Sequence, residues 1–123
     1  MSNKLTVLLN RIAQLEYHRD RPLPDHQALH LDNMDQKMDQ GILLGDTTID
    51  SPDINQRAQF VAANLLHAIK NDQEANAAAM CTWLANRLPE LKQVKIEEQG
   101  NEVTINLVFD EEHGGQIPVQ FIH

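Results

Sequence analysis

The sequence predicts an α+β domain: N-terminal helices packed on one face of a C-terminal three-stranded antiparallel meander. Three observations carry that expectation. Apolar residues recur at three- and four-residue steps along the first ninety positions, the helical period. After Pro89 the period drops to two, the strand period. The length, 123 residues with 41% hydrophobic side chains, suits one domain with a modest core, here read as a single unit over 1–123.

Taken in order, Leu5, Leu8, Ile12 and Leu15 fall on one helical face and predict a helix over 3–18, capped by Ser2. Arg19, Arg21 and the Pro22/Pro24 pair end it. Residues 25–40 read either as a second helix or as an irregular arm. The helical reading puts Leu31, Met34 and Met38 on one stripe, Asp25 as the cap and Gly41 just past the end. Ile42 to Leu44, bracketed by Gly41 and Gly45, reads as a short buried or docking segment, and Asp46 to Asp50 as a turn. Because Pro, Gly and Asp dilute its apolar period, the acidic stretch 22–50 is expected to be less ordered than its neighbours.

Residues 52–70 give the clearest helical signal. Ser51 suits the cap, Pro52 the first helical position, and Ile54, Ala58, Val61, Leu65 and Ile69 the apolar stripe. A further helix is expected over 72–88, entered through Asn71 with Glu74 at capping-box spacing and stopped by Pro89. Residues 54–88 are thus either a helical hairpin or one bent helix, and the whole of 2–88 reads as helical. Val94 and Ile96, then Val103, Ile105, Leu107 and Phe109, alternate about Gln99-Gly100-Asn101, a hairpin signal. Ile117, Val119 and Phe121 predict a third strand, completing a meander over 91–122. Pro118 confines that strand to an edge, where it either pairs copies into a homodimer or keeps the protein monomeric.

The formal net charge is −8. Residues 32–53 carry −5 and residues 91–123 carry −4, so the acidity belongs to two segments. Phosphate neutralisation needs clustered Lys and Arg, which argues against nucleic acid and against anionic membranes as partners. A single cysteine, Cys81, rules out an internal disulfide. No basic, apolar leader and no long apolar run is present, so a soluble, acidic, cytoplasmic protein is expected.

No nucleotide loop, nucleophile elbow or calcium loop occurs in the sequence, and no cofactor is implied. His26 and His30, four apart, share a helical face with the spacing of two zinc ligands. Gln27 stands where the related metalloprotease motif needs a general base, so the pair is a weak metal candidate. Asp110, Glu111, Glu112 and His113 form a second polar group suited to cation binding or acid–base work. Cys81, with His67 on the preceding helix, has the residue types of a thiol nucleophile and its base, but a cysteine in an apolar helix is ordinarily core.

The functional expectation is a non-enzymatic interaction or regulatory protein that docks a protein partner, one with basic character, through 25–50. Leu31, Met34 and Met38 would supply apolar contact and Asp32, Asp35 and Asp39 the charge. Neutralising the three aspartates should then leave stability level or raise it slightly. The alternative is a small enzyme, or a metal- or ligand-binding protein, working through His26 and His30 or through the Asp110–His113 loop.

Overall fold

A computed structural model describes residues 4–20, 23–44 and 46–109. The element order is β1 (Lys4–Leu9), β2 (Ile12–His18), α1 (Asp25–Asp39), β3 (Ile42–Leu44), β4 (Thr47–Ile49), α2 (Ile54–Lys70), α3 (Glu74–Arg87), β5 (Gln93–Gln99) and β6 (Glu102–Val108). The α+β class is as expected, but the sheet is mixed. Its strand order is β2-β1-β5-β6, with β1 parallel to β5 at the centre and an antiparallel hairpin on either side. β3 and β4 form a separate two-stranded hairpin.

The helix expected over 3–18 is a β-hairpin. Asn10 and Arg11, at φ 50° and 73°, make its two-residue turn, the left-handed pair that matches strand twist. The three- and four-residue spacing of Leu5, Leu8, Ile12 and Leu15 was coincidental. β1 is the strand between β2 and β5, so Leu5 and Val7 bury on the helix side while Thr6 and Leu8 bury on the other. A strand buried on both faces reads as a continuous apolar run and hides its period. A register shift after Val7, where Val7 faces Leu15 but Leu8 faces Ala13, adds one residue to β2.

Further along, the helical reading of 25–40 holds. The cap of α1 is Pro24 rather than Asp25, which is the first helical residue; Pro24 has no side-chain group to bond the first turn, and Gly41 closes the helix at φ +113°. The stretch read as a turn over 46–50 contains β4, paired with β3. The cap of α2 is Asp53 rather than Ser51. The Gln56 N–H donates to Asp53 Oδ1 at 2.8 Å, and the Asp53 N–H donates to Gln56 Oε1 at 2.9 Å, a complete capping box. α2 and α3 are two helices packed on one another. Their joint closes through Asp72 at φ 57°, with the Gln73 N–H donating to the Ala68 carbonyl. Asn71 therefore ends α2 instead of capping α3, and its side chain donates to the His67 carbonyl.

The β5–β6 hairpin forms where expected, about Gly100 at φ +62°. Two strands of the expected meander are thus present, but the third (117–122) and its Pro118 lie outside the described residues, as does Ser2. The core is the layer between sheet and helices: Leu5, Val7, Val94 and Ile96 below, Leu65, Leu66, Trp83 and Leu84 above. Arg19 ties β2 to the end of α3. Its Nε donates to the Ala85 carbonyl at 3.0 Å, and its Nη2 to the carbonyls of Leu88 and Leu91 at 3.0 and 2.6 Å. The Ala85 carbonyl is one the helix end leaves unpaired, since Pro89, four residues on, has no N–H to offer it. Among the described residues, no helix is long and apolar enough to cross a membrane.

Candidate functional site

The stripe on α1 divides by depth. Leu31 and Met38 are buried against α2 and α3, Met34 is half-buried, and Asp32 and Asp39 stay largely exposed. Asp35 lies between. Its Oδ1 accepts the Trp83 Nε1–H at 2.8 Å, and Arg87 Nε and Nη2 both lie 2.8 Å from its Oδ2. Trp83 is fully buried, and a buried indole N–H needs an acceptor. Arg87 Nη2 also reaches Asp32 Oδ1 at 3.1 Å. One helical turn beyond Asp35, Arg57 Nη2 donates to Asp39 Oδ1 at 2.6 Å while its Nη1 donates to the Asp35 carbonyl at 3.4 Å. All three aspartates therefore hold α1 onto α2 and α3. The sequence showed their spacing, but not that Trp83, Arg87 and Arg57 would meet them, because those contacts span eighteen to more than fifty residues of chain.

This arrangement argues against the expectation that neutralising all three aspartates leaves stability level. Mutual repulsion along the stripe is a few tenths of a kcal/mol. Loss of a half-buried carboxylate that serves both a buried indole and a guanidinium costs several times that.

Beside the stripe, α1, α2 and α3 leave a groove of about 340 Å³ lined by Met34, Lys37, Met38, Phe60, Val61, Asn64 and Met80. Three thioethers and a phenyl ring make it mainly apolar. Phe60 was not singled out from the sequence. Its signal was available, since it is a large aromatic residue beside Val61 but off the apolar stripe of α2. Two large apolar side chains of the same 25–50 segment also face solvent, Leu29 (64% exposed) and Leu43 (59% exposed).

His26 and His30 share a face of α1, as their spacing predicts. They line a second groove of about 530 Å³ between α1 and α3, with Leu31, Ala75, Asn76, Ala78, Ala79 and Thr82. Among the described residues, no group of three or more His, Cys, Asp or Glu stands close enough to hold a metal ion. The Asp110–His113 group lies outside the described residues.

Cys81 is buried in the core, and burial pushes its thiol up to about 12, against a smaller lowering by the Arg19 guanidinium. At neutral pH its thiolate is then on the order of one part in 10⁵. A nucleophile needs that thiolate and access to substrate, so Cys81 is packing. His67 sits on an exposed turn of α2.

A third cleft, about 470 Å³, lies where the two hairpins meet. Asn10 and Arg11 flank it on one side, Glu97, Glu98, Gln99, Glu102 and Thr104 on the other. The Asn10 Oδ1 accepts the Glu98 N–H at 2.9 Å, and Lys70 Nζ pairs with Glu98 Oε2 at 2.5 Å. The sequence matches no protein-family model and no curated protein, and the structure matches no solved structure.

Proposed function

We propose that this chain is a non-enzymatic interaction protein that docks a protein partner through residues 25–50, with an apolar side chain of the partner seated against Met34, Met38, Met80 and Phe60. The methionine-lined groove is the observation that carries this reading. Thioether side chains are flexible and polarisable, so a surface rich in them adapts to the shape of its ligand. Leu29 and Leu43, also exposed on this segment, lie outside the groove lining.

The groove itself carries one charged side chain, Lys37, so the partner's charge follows from the aspartates on the neighbouring face of α1. Asp32 and Asp39 are 62% and 61% exposed, and each carboxylate keeps acceptor sites beyond its arginine. With a net charge of −8, the chain attracts a basic segment at long range. Lys37, Arg57 and Arg87 offset much of the local charge, so apolar burial dominates affinity and charge dominates association rate. The expected ligand is a peptide segment with one bulky apolar anchor flanked by Lys or Arg.

Peptides selected on the immobilised protein, then titrated into protein labelled at its methionine methyl groups, test this. The reading expects an apolar anchor beside basic residues in the selected set, with shifts at Met34, Met38 and Met80. Selected peptides that leave all three methyl signals unmoved would refute it. The groove lined by His26 and His30 supports the other reading, a ligand- or metal-binding protein. Added Zn²⁺ that raises the melting temperature, with His30→Ala abolishing the rise, would favour that reading instead.

A further inference from the structure

We infer that the free edge of β6 is a docking surface for this chain's own C-terminal segment, with residues 117–121 adding a fifth, antiparallel strand. Three features of the structure fix where that strand goes.

The first is which backbone groups are free. The Asn10 N–H donates to the Ile96 carbonyl, so even-numbered residues within β5 bond toward β1; just before β5, Lys92 serves both neighbours, its carbonyl accepting from Thr6 and its N–H donating to Val108. Backbone groups alternate sides along a strand. Gln93, Lys95 and Glu97 therefore bond toward β6, where they face Val108, Asn106 and Thr104. Val103, Ile105 and Leu107 are left with N–H and C=O directed away from β5, toward the open edge. Among the described residues β6 has a neighbour on one side only.

The second is where apolar surface remains. Ile105 and Leu107 lie opposite the fully buried Ile96 and Val94, hence on the helix side of the sheet. They are only partly buried there, while Val103 is 45% and Phe109 40% exposed. Among the described residues, the stripe Val103–Ile105–Leu107–Phe109 is thus incompletely covered at the same edge that has no backbone partner.

The third is what the chain offers next. Residues 110–123 leave directly from Phe109 and contain Ile117, Val119 and Phe121 at strand spacing. An antiparallel return that puts these three on the helix side pairs odd-numbered residues with odd-numbered residues. Their N–H and C=O groups then point at those of Val103, Ile105 and Leu107. Pro118 falls on the alternate positions, where the N–H it lacks would point outward. The opposite parity fails twice: it exposes the apolar side chains and sets Pro118 where β6 needs a donor. The docked strand would end the sheet on a proline, a device that discourages further strand addition.

Amide exchange on the full-length chain tests the pairing. The expected result is that Ile105 and Leu107 exchange about as slowly as Thr104 and Asn106, which are bonded to β5. Two proline variants separate a strand from loose apolar cover. Val119→Pro removes a donor aimed at β6 and should speed Ile105 and Leu107 by at least about tenfold, leaving Thr104 and Asn106 slow. Gln120→Pro removes an outward donor and should leave all four unchanged, while Val119→Thr keeps the donor and should behave like the parent. Fast exchange of Ile105 and Leu107 in the parent overturns the inference. So does protection that grows with protein concentration, which would assign the edge to a second copy, and so does an equal effect of the two proline variants.

Discussion

Two acidic groups, one on α1 and one at the tip of the β5–β6 hairpin, have similar side chains and opposite roles. Asp32, Asp35 and Asp39 face Arg57, Arg87 and the Trp83 indole across element boundaries. Glu97 and Glu102 stand exposed on the sheet with Arg11 at the same cleft, and only Glu98 is tied to another element, through Lys70. A carboxylate whose partners are buried contributes to holding the fold. One whose partners are exposed contributes mainly to the field around it, because solvent and salt screen the pair. Acidity counted along the sequence is therefore a poor guide to acidity available for binding: in the more acidic segment Asp35 is committed to Trp83 and Arg87, while Asp32 and Asp39 keep exposed faces.

The largest test of this contrast is Asp35→Ala. It orphans the fully buried Trp83 N–H and removes the carboxylate shared by Arg87. The expected loss is about 2–4 kcal/mol in a urea denaturation at neutral pH. Asp35→Asn keeps an acceptor for the indole and should lose less. A loss below about 0.5 kcal/mol for Asp35→Ala would mean that α1 is held by its apolar face alone.

Cys81 extends the comparison to an ionisable group buried without a bonded counter-charge. Its thiol keeps its proton up to about 12 in the folded chain but gives it up near 9 in the unfolded one. Its contribution to stability is thus fully present below pH 9 and is lost as pH rises from 9 toward 12. Over that window the parent should lose stability faster than Cys81→Ala by about 1 kcal/mol per pH unit. Parallel curves for the two proteins between pH 8 and pH 10.5 would show that the thiol is solvated.

At the other acidic group, backbone strain outweighs charge. Arg11 lines the glutamate cleft yet holds φ 73°, a left-handed conformation that glycine adopts without a Cβ clash. Arg11→Gly creates the favoured Asn-Gly pair for this turn. Stability should rise by about 0.5–1 kcal/mol although a cation beside three glutamates is lost. A fall instead would show that Arg11 is electrostatically important there.

The parts of the fold that were legible share one property: their signal is local. Asp53 with Gln56, Gly41 after α1, and Gly100 between alternating strands are each set by residues a few positions apart. β1 was illegible because what makes it a central, covered strand, its pairing with β5 and the packing of α2 and α3, comes from some fifty to ninety residues away, and because its turn contains no glycine. A firmer signal lay in β2, where Leu15 and Tyr17 are partly buried and Glu16 and His18 are exposed. At the candidate site, the face shared by Leu31, Met34 and Met38 was legible from spacing. The grooves were not, since Phe60 and Met80 reach the first from other helices, and Ala75 and Ala79 reach the second.

The smallest expected effect belongs to Glu97 and Glu102. In the register of the hairpin Glu97 faces Thr104 and Glu102 faces Gln99, so the two glutamates are diagonal neighbours on one face of the sheet. Like charges at that separation repel weakly, and Arg11 attracts both across water. The two contributions oppose each other, so Glu97→Gln with Glu102→Gln should move stability by less than about 0.5 kcal/mol, a melting shift of about 2 °C or less. Raising salt should shrink even that difference, because every participant is within reach of counter-ions. The double variant and Asp35→Asn each replace carboxylate by amide, so melting both at low and high salt compares the two acidic groups with side-chain size held constant. A salt-sensitive loss at Asp35 alongside a salt-insensitive loss at Glu97 and Glu102 would reverse the assignment, making the hairpin tip the acidic group that holds the fold.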